Sequence, residues 1–164
     1  MAQTNNNSAT PLVGWLRDAH AMERASADNL DRIAARLSRP LPLLATRLQQ
    51  HCRETHEQIT RIEQNLERLG SDRSLLKDTA TRLRALAEGF ATLVAADEPI
   101  KDCLAAYSVA NYELGAYIAL GEAAKLLQDP LVERMCELHL ATERQFAAYL
   151  EQQIIEVTRD YLQP

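Results

Sequence analysis

Apolar residues recur along this chain at steps of three and four, the period of one helix face, over five successive stretches. In the first, Leu12, Leu16, Ala19, Glu23, Ser26, Leu30, Ile33 and Leu37 form a single stripe that predicts a helix from about Pro11 to Leu37. Ser38-Arg39-Pro40-Leu41-Pro42 interrupts it, because proline disfavours helical geometry in the residue before it. A second stripe, Leu44, Leu48, Thr55, Ile59, Ile62, Leu66 and Leu69, predicts a helix from about Pro42 to Leu69 that stops at Gly70. His51, Glu54 and Gln58 run along one flank of this stripe, while His56 and Glu57 point further out and are expected in solvent.

Ser71-Asp72 caps a third, shorter helix, roughly Arg73 to Ala95, whose apolar positions include Leu75, Leu83, Leu86 and Phe90. Asp97-Glu98-Pro99 opens a fourth that ends near Leu127, with Ile100, Cys103, Leu104, Tyr107, Leu114, Tyr117, Ile118 and Gly121 on its buried side and Glu113 at the edge. Asp129-Pro130 caps the last, in which Val132, Cys136, His139, Glu143, Phe146, Leu150 and Val157 share a face. Four of the five helices are long, about 26 to 33 residues or roughly 40–50 Å at the helical rise. The short one stands where a ferritin-like bundle needs its long connection, so the expected fold is an all-α, ferritin-like four-helix bundle with an additional crossover helix. Residues 1–10, polar and aperiodic, read as a disordered tail, and 11–164 as one helical domain.

Composition agrees with this picture. There are only 5 glycines and 6 prolines in 164 residues, which leaves little to break helices. The net charge is −5, with basic and acidic residues interleaved, so the concentrated basic face that phosphate binding needs is missing and nucleic acid is not an expected partner. No apolar run reaches the roughly 20 residues of a membrane span, and no signal peptide is evident, so the expectation is a cytoplasmic protein without a membrane role. Cys52, Cys103 and Cys136 are odd in number and widely spaced, which reads as free thiols.

The candidate chemistry lies inside the stripes. Glu23, His51 with Glu54, Glu113, and His139 with Glu143 place acids and imidazoles near the middle of four different long helices. Several carboxylates with open imidazoles are what a dinuclear iron or manganese site requires. The spacings, His51-x-x-Glu54 and His139-x-x-x-Glu143, are not the repeated Glu-x-x-His of such sites. Bland readings stand beside this one: Glu23 paired with an arginine, His51 and His139 as core histidines, Glu54 and Glu113 solvated at stripe edges, and Tyr107, Tyr112 and Tyr117 as packing.

Trp15-Leu16-Arg17-Asp18-Ala19-His20-Ala21-Met22-Glu23, His51-Cys52-Arg53-Glu54-Thr55, Leu66-Glu67-Arg68-Leu69-Gly70-Ser71-Asp72, and Tyr112-Glu113 followed by Tyr117 are similar to the YciE/YciF family of ferritin-like bacterial stress proteins. The resemblance spans nearly the whole chain from Pro11. It implies a ferritin-like bundle, a homodimer, induction in stress, and a di-metal centre whose acids match Glu23, Glu54, Glu113 and Glu143. Three positions depart from the family pattern: Ala110-Asn111 stands for Glu-His, Thr142 for the first of a Glu-Glu pair, and Gln58 for a histidine. Each removes a ligand, and His139 is a candidate replacement. The expected function is a stress-response protein with a degraded di-iron or di-manganese carboxylate site, short of some ligands, for oxygen or peroxide chemistry. The alternative is a metal-free helical scaffold or interaction module.

Overall fold

The structure, a computed structural model, describes residues 9–71 and 99–163. Among them are four α-helices and no strand: α1 (Ala9–Leu37), α2 (Pro42–Arg68), α3 (Pro99–Leu126) and α4 (Pro130–Leu162). The short helix expected between α2 and α3, and the first eight residues, lie outside the described residues.

The boundaries follow local chemistry. Asp129 caps α4, its carboxylate accepting from the Val132 amide at 3.1 Å, with Pro130 in the first turn. Pro42 opens α2, and Gly70 follows its end with φ +73°, a left-handed conformation that costs glycine nothing. Between α3 and α4, Gln128 takes φ +58° to turn the chain back. The described part of α1 is helical from its first residue, Ala9, through Pro11.

Packing is densest within two hairpins, α1 with α2 and α3 with α4, which meet through α1–α3 and α2–α4. Arg36 at the end of α1 pairs with Asp102 at the start of α3 at 2.5 Å, and Arg68 at the end of α2 pairs with Asp129 before α4 at 2.7 Å. α2 therefore finishes at one end of the bundle and α3 sets out from the other, so the two run parallel, as a crossover topology requires.

Two apolar clusters fill the bundle ends. One joins Leu30, Ile33, Leu44, Leu48, Ala106, Phe146 and Leu150. The other joins Leu12, Leu16, Ile62, Leu66, Tyr117, Leu120 and Val132. Gly121 lets α3 approach α4 closely, since an added Cβ would stand 3.3 Å from the Cys136 Cβ. The buried face of α3 differs from the expected one. Leu104 and Ile118 are 46% and 55% exposed, while Ala105, Ala106, Val109, Ala110, Glu113 and Leu120 are buried. Apolar residues surround α3, so periodicity gives no direction, and its alanine-rich side wins because small side chains let neighbouring helices come close.

Candidate metal centre

Between the two apolar clusters lies a polar layer with a contribution from every helix. Glu23 and Ser26 come from α1, His51, Thr55 and Gln58 from α2, Glu113 from α3, and His139 and Glu143 from α4, all at most 1% exposed. The mid-helix positions of the acids put them there, each one a turn or two from residues of the end clusters. No Lys or Arg is buried among the described residues, and no ion pair with Lys or Arg is seen there for the three buried acids of this layer, Glu23, Glu113 and Glu143. Leaving such carboxylates charged and unpaired costs several kcal/mol each in order of magnitude.

Each acid is handled differently. Tyr117 donates its hydroxyl to Glu23 Oε1, and Glu23 Oε2 has no hydrogen-bond partner among the described residues. Glu143 is held from α2, by the Gln58 amide at 2.9 Å on Oε1 and by His51 Nε2 at 3.2 Å on Oε2. Glu113 has an unpartnered Oε1. Burial pushes the Glu113 carboxyl well above the ordinary 4.5, the charges of Glu23 and Glu143 push it further, and Ser26 beside it opposes. Glu23 is likewise raised, by burial and then by Glu143, with the Tyr117 hydrogen bond acting against them. Tyr117 is itself driven up by burial and by the charge of Glu23.

One ligand atom each from His51, Glu113 and Glu143 lies within 4.8 Å of the others. Glu23 adjoins this group, close enough for its charge to bear on both Glu113 and Glu143. Three buried carboxylates, two of them (Glu23 and Glu113) with an orphaned oxygen, and an imidazole nitrogen form a hard, mixed donor set that fits a divalent iron or manganese ion.

Glu54 and His139, the other two residues singled out from sequence, stand apart from this group. Glu54 is half-buried and turned toward its own helix, accepting from His51 Nδ1 at 2.8 Å, Gln50 at 3.0 Å and Arg47 at 3.4 Å. Burial tends to raise its pKa, but the His51 hydrogen bond and Arg47 outweigh that and hold it below 4.5. His139 is fully buried with neither ring nitrogen partnered among the described residues. Its ring stands edge-on to Tyr117, centroids 4.8 Å apart. Burial, then the charge of Arg61, pulls its pKa down from 6.5 to about 3.

Several bland readings change in the folded chain. The partner of Glu23 is Tyr117 and no arginine, and Glu113 is buried where an edge position suggested solvent. Gln58, one of the departures noted in the sequence, anchors Glu143. Ala110 is absorbed into an apolar cluster, and the Thr142 hydroxyl bonds the Leu138 carbonyl at 3.3 Å. Sequence reasoning missed the supporting roles of Ser26, Arg47 and Tyr117. Spacing put each on the inward face of its own helix, three after Glu23, four before His51 and four after Glu113. But Tyr117 and Ser26 serve acids of a different helix, which no spacing within the chain signals.

Comparison with known proteins agrees with this architecture. The family described as "Domain of unknown function (DUF892)" matches residues 9–163, and the chain belongs to it. The crystal structure of the E. coli stress protein YciF has the same fold, with a TM-score of 0.78 at 22% identity, over 94% of this chain and 98% of that one. A protein from Xanthomonas campestris matches with a TM-score of 0.77 at 26% identity, over 96% and 97% of the two chains. The protein is YciF-like, as the first-helix motif implies.

Proposed function

Starting from membership of that family and from the buried acid layer, we propose that this chain is a ferritin-like metalloprotein holding iron or manganese. Glu113, Glu143 and His51 supply the first ligands, and Glu23 adds the oxygens with which a second ion completes a dinuclear site. The observation that carries this reading is the convergence of three buried carboxylates with no buried Lys or Arg among the described residues. A divalent cation removes the cost of that burial. Bound iron or manganese supplies redox chemistry toward oxygen or peroxide. The protein's part is to orient and exclude. Tyr117 holds one oxygen of Glu23, Gln58 holds one oxygen of Glu143, and the two apolar clusters keep bulk water from the layer. Burial raises the pKa of Glu23 and Glu113 in the metal-free chain, and a cation at their oxygens favours release of any proton held there. The setting we attach is a cytoplasmic, stress-induced homodimer. In support, the similar E. coli protein is described as a stress protein, and no helix among the described residues is long and apolar enough to cross a membrane.

The test is metal content per chain after purification without chelator and anaerobic loading with Fe(II) or Mn(II). The expected result is stoichiometric metal, up to two ions per chain, lost in Glu143→Ala. No metal after loading, with an unchanged melting temperature, sinks the proposal. A second reading, a metal-free scaffold, has its own observation. Tyr117 and Gln58 already hydrogen-bond Glu23 and Glu143, and burial favours the neutral form of Glu113, all without a cation. It predicts that same null loading result.

A further inference from the structure

An imidazole serves a cation only if a lone pair faces it, and which ring nitrogen carries the proton is set by what the other one meets. His51 Nε2 faces the acid layer through Glu143, and Nδ1 faces Glu54 at 2.8 Å, the shorter of its two contacts. A carboxylate only accepts, so Glu54 demands an N–H from Nδ1 and Glu143 demands one from Nε2, and the shorter contact, to Glu54, takes the single proton of the neutral ring. Glu54 does not swing freely, because Gln50 and Arg47 hold it from one and two turns earlier on α2.

The ring plane is fixed as well. Phe146 of α4 stacks on His51, centroids 3.6 Å apart and planes 19° from parallel. The Arg47 guanidinium lies over that same phenyl ring at 5.2 Å, and over Tyr149 at 5.8 Å. Arg47 thus holds both the acceptor on Nδ1 and the ring against the imidazole face.

We propose that Arg47, Glu54 and Phe146 form a clamp that keeps the His51 proton on Nδ1 and aims Nε2 at the acid layer, which makes Glu54 a positioning residue and not a metal ligand. This rests on the metal reading for its purpose but not for its geometry. The spacing His51-x-x-Glu54 then has a physical sense: the carboxylate one turn further along the same helix reaches the outer nitrogen of the ring, while the inner nitrogen is left to the site.

Glu54→Gln separates the possibilities, because the amide keeps the size and offers a donor as well as an acceptor. Residue 54 is half-buried at the surface, where the swap does not threaten the fold. In the metal-free protein at pH 8, 15N spectra of the histidine rings should show Nδ1 of His51 protonated in the wild type. In Glu54→Gln, part of the population should shift its proton to Nε2. An unprotonated Nδ1 in the wild type, or an unchanged ring in the variant, overturns the clamp. With Mn(II) as probe, equilibrium dialysis should give the same number of ions per chain in Glu54→Gln and a Kd raised about 10–100-fold. Loss of a whole ion per chain overturns the proposal by making Glu54 a ligand. Wild-type protein that binds no Mn(II) but shows the protonated Nδ1 upholds the clamp while removing the metal function.

Discussion

His51 and His139 are both fully excluded from solvent and face the same polar layer from α2 and α4, yet their surroundings are opposite. His51 meets a carboxylate at each nitrogen and a phenyl ring on its face. His139 meets the edge of Tyr117 and no hydrogen-bonding group among the described residues. Burial by itself therefore says little about a histidine. What distinguishes the two is whether neighbouring helices spend polar groups on holding the ring. At His51 they do, and that is the side on which the acids converge.

The sharpest way to break this comparison is to make one substitution at both rings. His51→Leu strips a partner from Glu143 inside the core and from Glu54 at its rim. It should cost about 3–5 kcal/mol, read from denaturant melts of metal-free protein at pH 7. A cost near zero would mean that the acids are indifferent to the ring.

A smaller effect belongs to pH. Glu23 and Glu113 titrate above 4.5 in the folded chain, so the folded state holds protons that the unfolded state has released. The stability these groups contribute is complete below pH 4.5 and is lost as pH climbs through their raised folded values. Metal-free protein should lose stability as pH rises above 4.5, by at most about 1.4 kcal/mol per pH unit for each group. Glu23→Gln should flatten that slope, and Mn(II) loading should abolish it. An equal slope in wild type and variant would exclude Glu23 as its source.

The smallest effect is expected at the other ring. His139→Leu removes a buried polar group that has no partner to lose, and should be neutral or stabilising by about 1 kcal/mol at pH 7. Its folded pKa lies at about 3 against 6.5, so its contribution is complete above 6.5 and lost as pH falls toward 3. The same melts repeated on the acid side should therefore show a shallower decline in the variant. Destabilisation by several kcal/mol would instead reveal a polar partner and close the gap between the two histidines.

Much of the fold was legible because it depends on local, repeated signals. Asp129-Pro130, Pro42 and Gly70 mark helix ends by their own backbone preferences, and the stripes of α1, α2 and α4 each point to one buried face. The stripe of α3 did not, and Leu104 and Ile118 went to solvent. The mid-helix positions of Glu23, Glu113 and Glu143 were legible as positions. What each oxygen touches was not, because Glu54 and Glu113 stand alike at the edges of their stripes and only one of them turns inward.

By itself, then, the sequence determined the helices, their order and the mid-helix placement of Glu23, His51, Glu113, His139 and Glu143, since these follow from capping and from a period of 3.6. The tertiary structure decided which groups meet: Tyr117 with Glu23, Gln58 with Glu143, and Arg47, Glu54 and Phe146 around His51. Those pairings depend on the rotation and relative height of packed helices. Both are fixed by side-chain volumes across the whole interface and by no residue's neighbours in the chain.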